Sequence, residues 1–149
     1  MRYQVVSLIG MLAMVACGGG GTSSAASPAP SIAAIKFTMV AQNNSGVSGT
    51  GQVVKGSGSF TLTIKLSGMA PSSSHISHIH NGSCAKPGGI ALALTQVVAD
   101  STGAATVTSN VPAEYVVPAG GWYVNVHHGP DFSVPANAPS ISCGDLSQA

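Results

Sequence analysis

Residues 60–66 alternate between apolar and polar side chains, and this alternation constrains the fold more than any other feature of the sequence. The apolar members are Phe60, Leu62, Ile64 and Leu66, and the polar members are Thr61, Thr63 and Lys65. Successive side chains of a β-strand point to opposite faces, so the pattern predicts a strand with one buried and one solvated face. No segment keeps the 3.6-residue apolar period of an amphipathic helix.

Other strand-like segments follow at short intervals and are separated by turns rich in glycine, asparagine and serine. We predict them at 35–41, 47–54, 90–94, 97–100, 105–108, 121–128 and 141–146, with a histidine-bearing strand between the loop at 68–74 and an irregular stretch at 84–89. Charged residues make up only 6% of the chain, too few for long solvated helices. Short strands at this spacing are typical of an all-β protein, an antiparallel sandwich or barrel.

The N-terminus has the pattern of an export signal. Arg2 precedes an apolar run at 5–16 that is too short to span a bilayer. Cys17 follows, with four glycines after it, and this arrangement resembles a bacterial lipoprotein signal, in which the cysteine carries the lipid. The alternative is an ordinary secretory signal with an incidental cysteine.

These features predict three regions: a signal peptide at 1–16, a lipidated Cys17 with a flexible tether at 17–33, and a folded domain at 34–149. The predicted location is the cell envelope, periplasmic or on the outer surface, with the lipid as the only membrane contact. The formal net charge of +1 argues against nucleic acid as a partner. The sequence does not identify a protein partner.

Two further cysteines, Cys84 and Cys143, remain when Cys17 is assigned to the lipid. Two cysteines in an exported chain are expected to pair as a disulfide. The alternative is two free thiols.

Three histidines are predicted to share one face of the sheet. His78 and His80 flank Ile79, so their side chains point away from the core that Ile79 enters. In the segment 123–128, Val124 and Val126 share the core face, which places His127 on the outer face. By the same parity His75 belongs to a loop or is partly buried, and His128 faces the core unless the strand ends there.

Three neutral imidazoles suit Cu(II), Zn(II) or Ni(II), and copper is favoured by intrinsic affinity. We therefore predict a metal site at His78, His80 and His127 on the outer wall, with copper rather than zinc as the cofactor. No carboxylate lies near enough in the sequence to be assigned as a ligand, and Asp131 and Asp145 are the alternatives for an additional one. The alternative is a set of surface histidines that bind no metal.

Residues 35–146 resemble the copper/zinc superoxide dismutase family. His78-Ile79-His80 resembles its paired copper ligands, and Cys84 and Cys143-Gly144 resemble the two halves of its disulfide. The segment ending at His127 resembles the strand that bears its last copper ligand. The resemblance implies a Greek-key antiparallel β-sandwich or barrel of about eight strands.

The chain is equally similar to the CHRD domain family. The segment His78–Gly82 matches its HIHxG pattern, and Tyr123–His127 matches its YVNVH pattern. The usual acidic-Ile-Arg-Gly ending is missing, and Cys143-Gly144-Asp145 stands there instead.

The dismutase resemblance has gaps that bear on catalysis. No histidine lies between His80 and His127, so the zinc ligands and the bridging histidine are absent. The only arginine is Arg2, so the anion-guiding arginine is absent as well. We expect copper binding with weak superoxide dismutation, and whether the protein is an enzyme stays open. The alternatives are a copper store or chaperone and a non-enzymatic envelope module that interacts without metal.

Overall fold

The alternating segment forms a strand within an antiparallel sheet; the computed structural model describes residues 33–148. The strands are β1 (Ile35–Ala41), β2 (Ser48–Lys55), β3 (Phe60–Ser67), β4 (Ser74–His75), β5 (Ser77–Ser83), β6 (Lys86–Ala93), β7 (Val97–Val98), β8 (Ala105–Val111), β9 (Trp122–His127) and β10 (Ser140–Leu146). A 3-10 helix, Pro135–Asn137, is the only helix in this range.

Eight strands form one sheet in the order β6-β5-β9-β10-β1-β2-β3-β8, and β4 pairs separately with β7. Every pairing is antiparallel. β5 lies beside β9 and β10 lies beside β1, so strands far apart in the sequence become neighbours. The all-β antiparallel prediction is therefore confirmed.

The sheet curls so that its apolar face covers itself. Leu62 of β3 and Ile79 of β5 are separated by four strands in the sheet, yet they are only 1% and 0% exposed and belong to one core. No α-helix within residues 33–148 is available to cover that face. A single sheet buries such a face only by closing into a barrel or sandwich.

The prediction of an irregular stretch at 84–89 is wrong for most of these residues, which belong to a strand. β6 already begins at Lys86, and its pairing with β5 shifts register around His80 and Gly82. Gly82 has a φ of 100°, and a β-carbon there would lie 2.3 Å from the carbonyl oxygen of Lys86. Glycine therefore permits a bend that carries the end of this hairpin away from the plane of the sheet.

The predicted signal peptide, the Cys17 lipid site and the tether up to residue 32 lie outside the described residues. Within residues 33–148 no helix has the length and hydrophobicity needed to span a bilayer.

Candidate metal centre

Two neighbouring strands bring three histidines together. β5 carries His78 and His80, and His127 is the last residue of β9. His78 pairs with Asn125 and His80 with Tyr123 across the two strands. Paired residues share a face, and His127 lies two residues beyond Asn125, diagonal to His78 on that face. One ring nitrogen from each histidine lies within 4.8 Å of the others.

These imidazoles are buried, whereas the parity argument alone placed them on an outer wall. His78, His80 and His127 are 7%, 8% and 5% exposed. They do lie on the face opposite the core residue Ile79, but two segments outside the β5–β9 pair contact them on that face. One is the bent end of the β5–β6 hairpin, and the other is residues 128–139, here called the cover loop.

Backbone carbonyls orient two of the three imidazoles. Nδ1 of His80 donates to the carbonyl of Gly88 at 3.0 Å, and Nδ1 of His127 donates to the carbonyl of Ala138 at 2.7 Å. A carbonyl can only accept, so Nδ1 carries a proton in both imidazoles, and in the neutral form of each ring Nε2 carries the lone pair. The two Nε2 atoms face each other at 3.4 Å. Facing lone pairs at this distance suit a cation, which both nitrogens can bind.

His78 completes the donor set. Its Nδ1 is buried and finds no hydrogen-bond partner among residues 33–148. Burial first, and then repulsion from His127 and His80, lowers the pKa of His78 from 6.5 to about 4. A neutral imidazole with a buried, unpartnered nitrogen is the form that binds a metal. The residues present therefore fit a metal ion.

The pKa of His127 is also lowered, chiefly by burial, against the opposing effect of the hydrogen bond to Ala138. His127 is thus held neutral at physiological pH, in the protonation state that metal binding requires.

Asn125 contacts the site between the strands. Its amide nitrogen donates to Nε2 of His127 at 3.2 Å. Ser140 on β10 donates its hydroxyl to the other end of the amide, Oδ1. Because Oδ1 is the acceptor for Ser140, the NH₂ group must face His127, which fixes the orientation of the amide next to the imidazole.

A disulfide ties the bent hairpin end to the sheet. Cys84, in the turn after β5, is bonded to Cys143 on β10, with Cα atoms 5.9 Å apart. The backbone N–H of Cys84 also donates to a carboxylate oxygen of Asp145 at 2.7 Å. This hairpin carries Gly88, so the disulfide helps to hold the carbonyl that orients His80.

The cover loop contributes an aromatic ring. Phe132 stacks on His78 with ring centroids 5.6 Å apart, and its ring meets that of His127 edge-to-face at 4.8 Å. Sequence analysis did not single out Phe132, and the only signal for it was an aromatic residue in the proline-rich segment after His128.

The remaining candidates lie outside the cluster. Nδ1 of His75 bonds the backbone carbonyl of His127 at 3.0 Å and Nε2 bonds Ser73 at 2.7 Å, so His75 is buried and supports the end of β9. His128 is exposed because β9 ends at His127. Asp131 accepts from Ser133 within the cover loop, and neither it nor Asp145 belongs to a ligand cluster in the described part of the chain.

Comparison with known proteins agrees with this architecture. A family model for the CHRD domain matches residues 34–130. Among solved structures, a SOD-like protein from Bacillus subtilis is similar, with 17% sequence identity and a TM-score of 0.61, over 77% of this chain and 100% of that chain. At this identity the similarity shows the fold alone. No curated protein matches the chain.

Proposed function

This chain belongs to the CHRD domain family, and we propose that it is an exported, membrane-anchored protein that binds copper through His78, His80 and His127. The observation that carries the proposal is the donor set itself. One ring nitrogen from each of the three buried histidines lies within 4.8 Å of the others, and Nδ1 of His78 has no hydrogen-bond partner within residues 33–148.

The choice of copper rests on the ligands. Imidazole suits copper, zinc and nickel, and intrinsic affinity places copper first among them. Copper held by these three histidines would supply one-electron chemistry, because it changes between two oxidation states. The protein supplies fixed orientations of His80 and His127 through the carbonyls of Gly88 and Ala138, and it buries all three histidines.

We propose that superoxide dismutation at this site is weak. The chain has no arginine after Arg2 and few charges of any kind, so little electrostatic attraction guides an anion to the site. The sequence also has no histidine between His80 and His127 that could bridge to a second metal. Copper storage without turnover is the second candidate, and the burial of all three histidines favours it.

The proposed location rests on the N-terminal pattern and on the disulfide. Residues 1–16 would direct export, Cys17 would carry the lipid, and residues 17–33 would hold the domain away from the membrane. The bond between Cys84 and Cys143 supports an oxidising compartment such as the cell envelope.

Copper titration of the purified protein tests the proposal. We expect one copper ion per chain, with an electron paramagnetic resonance spectrum showing nitrogen ligands. His80→Ala should abolish uptake, and His128→Ala is the matched control because His128 is exposed and outside the cluster. Equal uptake by both variants would refute the site.

A superoxide assay on the loaded protein separates the candidates. Turnover that disappears in His80→Ala supports an enzyme, and stoichiometric copper without turnover supports a store. A wild-type protein that takes up no copper at micromolar concentration leaves the non-enzymatic interaction module.

A further inference from the structure

Phe132 closes the solvent side of the histidine cluster. Its ring contacts two of the three imidazoles, at centroid distances of 5.6 Å to His78 and 4.8 Å to His127. The same side chain is 44% exposed, so it meets the imidazoles on one side and water on the other. The two imidazoles are 7% and 5% exposed beneath it.

The cover loop positions this ring through polar contacts. His128 N–H donates to the carbonyl of Pro139 at 2.8 Å and Gly129 N–H to that of Asn137 at 3.2 Å, which closes the base of the loop. Within the loop, Asp131 accepts from the backbone N–H of Ser133 at 2.8 Å.

The cover loop has almost no apolar anchor of its own. Gly129 is its one buried residue, and the 3-10 helix within it has none. Segments with few buried apolar contacts and exposed backbone hydrogen bonds open at low free-energy cost. The loop is tied to the rest of the domain by hydrogen bonds of His127 with Ala138, Ile76 with Gly129 and Gln96 with Pro130. Between these anchors, Phe132 supplies the aromatic contacts with His78 and His127.

We propose that Phe132 is a gate for the metal centre, and that copper and small anions reach or leave the three imidazoles only when this ring moves off them. The inference rests on the proposed copper site and adds to it the residue that sets the exchange rate. It assigns Phe132 to control of access, while His78, His80 and His127 hold the metal.

Release of copper to excess EDTA tests the gate. We expect Phe132→Ala to lose copper about tenfold faster than wild type, because two aromatic contacts are removed, and Phe132→Leu to fall between them. Val134→Ala is the control, since Val134 is 48% exposed in the same loop. Its release rate should match wild type. Normal uptake with equal release rates in all four proteins would overturn the gate and leave the proposed function intact.

Acylation of imidazoles by diethyl pyrocarbonate gives a metal-free measurement. In apoprotein, Phe132→Ala should speed the modification of His78 relative to that of exposed His128, as read by mass spectrometry of peptides. An unchanged ratio would overturn the gate. Wild-type protein that takes up no copper would refute the proposed function, and the modification rates would still decide whether Phe132 covers the cluster.

Discussion

Mild acid should destabilise the metal-free protein through His78. The pKa of this imidazole is about 4 in the folded state against 6.5 as its ordinary value. Between these two pH values the unfolded chain binds a proton that the folded chain does not. The contribution of His78 to the free energy of unfolding is therefore fully present above pH 6.5 and is lost as the pH is lowered toward 4.

The size of this loss follows from the shift in pKa. Each unit corresponds to about 1.4 kcal/mol, so the contribution of His78 is about 3 kcal/mol over the whole window. The lowered pKa of His127 acts in the same direction. The pKa values of the Asp100 and Asp131 carboxyl groups are also lowered. These groups take up protons, and their contribution to stability is lost, only as the pH falls below 3.8.

Denaturant titration of the apoprotein at several pH values between 7 and 4, with EDTA present, measures this effect. His78→Gln removes the titrating group and keeps a neutral polar side chain of similar length. Its free energy of unfolding should therefore drop by about 3 kcal/mol less than that of wild type between pH 7 and pH 4. His128→Gln, on an exposed histidine, should leave the wild-type slope unchanged. Parallel curves for wild type and His78→Gln would refute the reasoning.

Four further results are expected. Gly82→Ala should lower the free energy of unfolding, measured by denaturant titration, by about 1–3 kcal/mol, because Gly82 has a φ of 100°. Gly89→Ala is the control and should be nearly neutral, because a β-carbon at Gly89 would enter open space. Cys143→Ser should cost about 4 kcal/mol, since the disulfide joins residues separated by 59 positions; equal melting temperatures would contradict this. Asn125→Ala should strengthen copper binding with the fold retained by circular dichroism, because the Asn125 amide donates to the Nε2 lone pair of His127 that a metal ion needs. Cys17→Ser should move the protein from the membrane to the soluble fraction on cell fractionation.

Local alternation was a good predictor of the strands and of the face each histidine occupies. The period of two at residues 60–66 and the HxH spacing at 78–80 both survive in β3 and β5, because side-chain direction in a strand depends only on position along the backbone. The limit of β9 was less certain from sequence. Whether His128 faces the core depended on where that strand ends.

The sequence could not predict the burial of the cluster. His78, His80 and His127 would be exposed on a bare sheet, and their cover comes from the bent β5–β6 hairpin and from residues 128–139. Gly88, Ala138 and Phe132 contact the imidazoles from these segments, and no local periodicity connects them to the histidines. The sequence could not predict the role of His75 for the same reason, since this side chain bonds the backbone carbonyl of His127, 52 residues away.

The sequence by itself determined an all-β fold, the three histidines on one face, and the two cysteines available to pair, because each follows from residue type and from the twofold period of a strand. Tertiary structure alone decided that one ring nitrogen from each histidine converges within 4.8 Å, and that backbone carbonyls hold the Nδ1 protons of His80 and His127. It also decided that a phenylalanine lies over them. Those features depend on the register of β5 against β9 and on the path of two loops, which are set by packing between residues distant in the chain.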